Sequence, residues 1–171
     1  MLNPAPHILI MDDAPEILDL LREFLEEEGY RVTTSLAILD VSQIVTLAPD
    51  IILVEWRFRN CPDAGWRLVH RVRLEPALAG TAVVLCTTEQ RPITDIQVAQ
   101  ALQYLRVAVV RKPCVLDQLI RAVQRALRAP HLRVVVDAGR LSQGNPDAAP
   151  AAGSPRWPQP VQLFSLSQGG E

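Results

Sequence analysis

A chain of 171 residues, about half of them apolar and a fifth charged, has room for one packed domain and an appendage, but not for a second full domain. Its formal charge of −2 comes without a basic block, which argues against a nucleic-acid surface, and no apolar run approaches the ~20 residues needed to cross a bilayer. No basic segment followed by an apolar stretch opens the chain. Three unclustered cysteines (Cys61, Cys86, Cys114) are expected to be reduced thiols, so a soluble cytoplasmic protein is the expectation.

His7 to Met11 forms a short apolar run and predicts a first strand, closed by Asp12 and Asp13. Asp13-Ala-Pro-Glu16 has the form of a helix start, with Asp13 as N-cap and Glu16 completing a capping box. Ile17, Leu18, Leu20, Leu21, Phe24 and Leu25 follow at helical spacing as far as Gly29. Tyr30 to Thr34 predicts a second strand, and Ile38 to Leu47 a modest helix ended by Pro49. Ile51 to Val54 is a run of four apolar residues, as in a strand buried on both faces, and it lands on Glu55.

A polar loop, 57–64, leads to a helix over 65–75 that puts Leu68, Val69 and Val72 inward. Ala82 to Cys86 predicts a fourth strand landing on Thr87, and Pro92 to Leu105 a further helix. Val107 to Val110 predicts a fifth strand running into Lys112 and Pro113. Leu116, Leu119, Ile120, Val123 and Leu127 mark one face of an amphipathic helix. Strand and helix alternate five times, so the architecture is α/β: a parallel sheet with helices on both faces.

From Pro130 the composition changes. The last 42 residues carry six of the 14 prolines, with much Gly, Ser, Gln and Ala. The division is therefore a domain over 1–129 and a largely irregular tail over 130–171. Within the tail, 133–136 is a possible strand, 142–160 partly polyproline-like, and 161–166 apolar enough to dock.

In open parallel sheets, chemistry collects at the carboxyl ends of the strands. Asp12, Asp13, Glu55, Thr87 and Lys112 all fall there. Each has a bland reading on its own: a helix cap, a solvated strand end, a loop hydroxyl, a strand stop. Their shared position on four of five strand ends is harder to reach by chance. Lys112 stands out further, because the other sixteen basic residues are all arginine. A lysine is a compact point charge on a flexible stem, which an arginine cannot imitate. His7, His70 and His131 are dispersed, and no Gly-rich phosphate loop follows the first strand.

The segments His7-Ile-Leu-Ile-Met-Asp12-Asp13, Pro49-Asp-Ile-Ile-Leu-Val-Glu55, Gly65-Trp-Arg-Leu-Val-His-Arg-Val-Arg, Thr81-Ala-Val-Val-Leu-Cys-Thr87-Thr88 and Arg111-Lys112-Pro113 occur in receiver-like order and spacing. Over roughly residues 6–129 the chain resembles the receiver domains of two-component response regulators. The resemblance implies a doubly wound (βα)5 fold, CheY-like and flavodoxin-like, with strand order 2-1-3-4-5. It implies that Asp12 and Asp13 hold Mg²⁺, with Glu55 as the third metal-facing carboxylate. Glu55 occupies the phosphoacceptor position, and Thr87 and Lys112 the positions that contact the transferred phosphoryl group. The implied partners are a histidine kinase, a phosphotransfer protein or an output protein. A homodimer through the fourth helix, fifth strand and fifth helix is also implied. The family reading is a signalling module, not an enzyme.

Three departures matter. The acceptor is glutamate where the family has aspartate, and one methylene moves the oxygens by about 1.5 Å, where a misplacement of about 1 Å can cost ~10²-fold. Val109 stands three residues before Lys112, where the family commonly carries an aromatic. The loop after Glu55 lacks the expected proline and is about two residues longer, carrying Arg57, Arg59 and Asn60. The expectation is a stand-alone atypical receiver, with phosphorylation absent or inefficient and Mg²⁺ binding weakened. A working phosphoacceptor and an oligomerisation module with a vestigial site are the alternatives.

Overall fold

The computed structural model describes residues 4–88, 90 and 94–129. The expectations placed on 130–171, and His131 with them, lie outside the described residues. Five parallel strands, β1 (His7–Met11), β2 (Arg31–Ser35), β3 (Ile51–Val54), β4 (Ala82–Thr87) and β5 (Val107–Arg111), form one sheet in the order β2-β1-β3-β4-β5. Among the described residues, the helices between and after them are α1 (Pro15–Glu27), α2 (Val41–Leu47), α3 (Ala64–Leu74), α4 (Ile96–Tyr104) and α5 (Leu116–Arg128). This is the doubly wound arrangement expected.

The continuous apolar runs arise because the sheet is covered twice. Side chains alternate across a strand, so Leu9, Met11, Ile52, Val54, Val83 and Leu85 pack on one face against Ile44 of α2, Leu68, Val69 and Val72 of α3, and Leu102 of α4. Ile8, Ile10, Ile51, Leu53, Ala82 and Val84 pack on the other against Leu18, Leu21 and Leu25 of α1 and Leu119, Ala122 and Val123 of α5. Each fully buried aliphatic side chain contributes roughly 1.5–3 kcal/mol. β2 lies at the sheet edge, and none of its residues is fully buried.

Several boundaries differ from the apolar pattern, each for a local reason. Asp13 does not cap α1: the cap position is Ala14, with no side-chain cap bond, and Pro15 opens the helix. Helix α2 begins at Val41, later than Ile38, because Ser35 and Ala37 close a turn (Ser35 Oγ to Ala37 O, 2.7 Å). The start of α2 is fixed by Asp40 N donating to Gln43 Oε1 at 2.9 Å. Glu75 leaves α3 and caps a short 3₁₀ turn, accepting from Ala77 N at 3.1 Å. Asp95 accepts from Gln97 N and Val98 N and so sets the start of α4 at Ile96.

One glycine fixes how α3 meets the sheet. A Cβ built on Gly65 would lie 2.0 Å from the Glu55 carbonyl oxygen and 3.0 Å from the Trp56 Cα, and Gly65 N donates to Trp56 O at 3.0 Å. Any side chain here would push α3 off the end of β3. Replacing Gly65 with alanine should therefore cost about 3 kcal/mol, the upper part of the range for overpacking. Leu119→Ala, at a site fully buried against the sheet, should cost about 2–5 kcal/mol. Leu74→Ala, 75% exposed, should stay within about 0.5 kcal/mol of wild type. Urea unfolding midpoints compare the three.

Candidate functional site

The order β2-β1-β3 reverses winding direction at β1 and β3, which opens a crevice beyond their carboxyl ends. Backbone bonds extend the ladders just far enough to aim side chains into it. Asp12 N donates to Ser35 O (3.2 Å), Glu55 N to Met11 O (3.0 Å) and Lys112 N to Thr87 O (2.8 Å). Asp12, Glu55 and Thr87 are all buried, at 4%, 7% and 0% exposure. Buried carboxylates at that depth need partners.

They have them. Lys112 Nζ donates to Asp12 Oδ2 at 2.5 Å and to Glu55 Oε2 at 3.0 Å. The other Glu55 oxygen, Oε1, accepts from the Thr87 hydroxyl, from Trp56 N at 2.8 Å and from Arg57 N at 3.3 Å. Asp12 Oδ1 accepts from Ala14 N at 3.0 Å. Asp12, Glu55, Thr87 and Lys112, picked out from strand ends, thus form one continuous hydrogen-bonded cluster. The peptide bond between Lys112 and Pro113 is cis.

Asp13 stands apart from that cluster. Its Oδ2 accepts from Arg59 N at 2.8 Å and lies 3.7 Å from Arg59 Nε. The loop after Glu55 therefore pairs with Asp13, through Arg59. Asp12, Asp13 and Glu55 do not converge on one point. Among the described residues no set of three His, Cys, Asp or Glu side chains is grouped to hold a metal ion. The Glu55 oxygens are engaged by Thr87 and Lys112, and Asp13 by Arg59. The donor set is not arranged for the octahedral oxygen shell that Mg²⁺ requires.

Burial pushes the Lys112 ammonium down, but the hydrogen bond and charge of Asp12, then the charge of Glu55, outweigh it and leave its pKa above the ordinary lysine value. Burial pushes the neighbouring Cys86 thiol up to about 12, so it packs as a small apolar residue. His7 lies at the other end of β1, where it bonds Thr33 Oγ1 at 2.8 Å, far from this chemistry.

Two contributors carry little signal in the sequence. Trp56 directly follows Glu55, is buried, and stacks on Trp66 of α3 with ring centroids 5.2 Å apart. His70 meets the edge of the same stack at 4.4 Å. Phe58 is also buried, and Phe58 and Cys61 exchange backbone bonds of 3.1 and 2.9 Å. The segment read as a polar loop is thus a pinned turn. An aromatic at Trp56 followed by one at Phe58 was the available signal. Val109, in place of the family aromatic, is half-buried and packs into the face covered by α3 and α4.

Residues 8–124 match the family described as response regulator receiver domain. A search of curated proteins finds no match. Among solved structures, chemotaxis protein CheY4 of Vibrio cholerae is 22% identical, over 71% of this chain and 98% of its own, with a TM-score of 0.57. TrrA of Thermotoga maritima, solved in complex with Mg²⁺ and BeF, is 21% identical over 71% and 98%, with a TM-score of 0.58. The receiver domain of a DNA-binding response regulator from Colwellia psychrerythraea 34H is 22% identical over 72% and 99%, with a TM-score of 0.59. At these identities the structural likeness establishes the fold. No described helix is long and apolar enough to cross a membrane. With two thirds of its length matching, and with the strand order and strand-end residues in place, the chain belongs to the response regulator receiver domain family.

Proposed function

We propose that this receiver signals through protein contacts, with the Glu55 carboxylate standing where a phosphorylated acceptor would otherwise put its charge. Receiver domains are generally signalling modules that interact with kinases, phosphotransfer proteins or output proteins, and they typically bind Mg²⁺ at the acidic site. The observation that carries the reading is the set of bonds to Glu55. Its two oxygens are held by the Thr87 hydroxyl, the Lys112 ammonium and two backbone N–H groups. Thr87 and Lys112 stand at the positions that contact a phosphoryl group in the family. Glutamate reaches them without modification.

The mimicry is partial. A carboxylate supplies one negative charge and two oxygens, against roughly −1.5 to −2 and three oxygens for a phosphoryl group. In-line attack needs a nucleophile free of competing bonds and placed at the right distance. Glu55 meets neither demand. Mg²⁺ binding through Asp12, Asp13 and Glu55 is weak on this reading, because Asp12 is engaged by Lys112 and Asp13 by Arg59. The contact face for a partner or a second copy is α4–β5–α5, where Ile96, Tyr104 and Val115 are 73%, 75% and 62% exposed.

Incubation with Mg²⁺ and acetyl phosphate should leave the wild-type mass unchanged, whereas Glu55→Asp should gain a hydroxylamine-labile acyl phosphate at a rate on the order of 10²-fold higher. Stoichiometric labelling of wild-type Glu55 would instead make the chain an ordinary phosphoacceptor.

The ammonium supplies a second test, made clean because Lys112 is the only lysine. Its ¹³Cε resonance should titrate above the ordinary ~10.4, and Asp12→Asn should lower that midpoint. Lys112→Met leaves two buried carboxylates without their cation and should cost about 3 kcal/mol at neutral pH. Because the folded-state pKa is raised, the ammonium's contribution is complete below the unfolded lysine value and is lost as pH rises through the folded one. The difference in unfolding free energy between wild type and Lys112→Met should therefore shrink over that alkaline window.

A further inference from the structure

Beside the acidic cluster, and separate from it, lies a cleft of about 440 Å³ between the loops that follow β1, β2 and β3 and the exposed face of α3. Its apolar part includes Phe58 and Leu68, both buried, and Leu36, a leucine 55% exposed. Its charged part is Arg59, Arg67 and Arg71, and the sole acidic residue lining it is Asp13. Three arginines against one aspartate give the cleft a local charge of +2, in a chain whose net charge is −2. Arg67 and Arg71 stand one helical turn apart, a spacing at which like charges repel and destabilise a helix. Asp40 approaches Arg71 from outside at 3.7 Å, but both side chains are more than half exposed and the pair is weak.

We propose that this cleft binds a short peptide segment of a partner protein, in which an apolar side chain is flanked by carboxylates. The apolar floor and the uncovered Leu36 accept the anchor. The arginines receive the flanking acids, since a guanidinium fork matches a carboxylate in a paired, directional way. A bare phosphate would use the rim and leave the floor uncovered. Nucleic acid would need a longer basic track than three side chains. Arg59 also ties the cleft to Asp13. It holds Asp13 through its backbone N–H and lies close with its side chain, so a ligand carboxylate at Arg59 competes for the same guanidinium. The site is distinct from α4–β5–α5, and its occupancy does not depend on whether Glu55 is phosphorylated.

The probe is a fluorescein-labelled peptide with a Leu-Phe core and two glutamates on each side, titrated against the full chain by anisotropy. Saturable binding that weakens with salt is expected. It should weaken at least tenfold in R67E/R71E, in Leu36→Asp, and with a peptide whose glutamates are replaced by glutamine. Circular dichroism checks folding, and Arg67→Gln with Arg71→Gln serves if charge reversal perturbs α3. No saturation by roughly 1 mM, or equal affinity for R67E/R71E, overturns the proposal. So does displacement of the peptide by inorganic phosphate at a matching concentration, which would make the cleft a simple anion site. Loss of a dimer in R67E/R71E by sedimentation, with no peptide bound by wild type, would assign the face to a second copy and likewise overturn it.

Discussion

One ammonium, shared between two buried carboxylates, is the constraint on which this domain's functional edge depends. Asp12 and Glu55 are both buried, and an isolated ionised carboxylate at that depth costs several kcal/mol. Lys112 lies 2.5 Å from one and 3.0 Å from the other. A guanidinium would be a poor replacement, since its planar fork favours a single carboxylate while an ammonium donates in three directions. One cation does not neutralise two anions, and the remaining charge is met by dipoles. Trp56 N, Arg57 N and the Thr87 hydroxyl all point at Glu55 Oε1. Strands β1, β3, β4 and β5 must end in register for this to happen, so the sheet and the cluster are a single problem solved together.

Arm length decides what the cluster can do. Glu55 meets the Thr87 hydroxyl with one oxygen and the Lys112 ammonium with the other. One methylene, about 1.5 Å of reach, separates it from an aspartate. Those same oxygens are the ones that a metal held by Asp12, Asp13 and Glu55 would need. On the proposed reading, weak metal binding and occupation of the phosphoryl contacts both follow from that one side chain.

The fold was legible because parallel strands buried on both faces produce continuous apolar runs, and four such runs end on polar residues. The edge strand β2 was harder to bound, since Arg31, Val32 and Thr33 are not fully buried and write no clear period. Asp40-Val-Ser-Gln43 fits a capping box and marks the start of α2 better than the apolar pattern does. At the site, Asp12, Glu55, Thr87 and Lys112 could be grouped from strand ends alone. The direction of Asp13 could not. Its position before Ala-Pro-Glu looks like a helix cap, and only the return of a loop 46 residues later gives it a different partner. The stack of Trp56 on Trp66 is hidden for the same reason, because it requires the turn at Phe58 and Cys61 to bring α3 back over β3.

That turn also sets the surroundings of Glu55 and Asp13. Two backbone N–H groups meet the Glu55 oxygen, those of Trp56 and Arg57 at the start of the loop. Burying Trp56 and Phe58 anchors those two residues, and Gly65 lets α3 close against the Glu55 carbonyl. Two residues further on, the Arg59 N–H bonds Asp13 at 2.8 Å, with its exposed guanidinium 3.7 Å away. The same short stretch therefore ties down both carboxylates, Glu55 through the amides of Trp56 and Arg57 and Asp13 through the amide of Arg59.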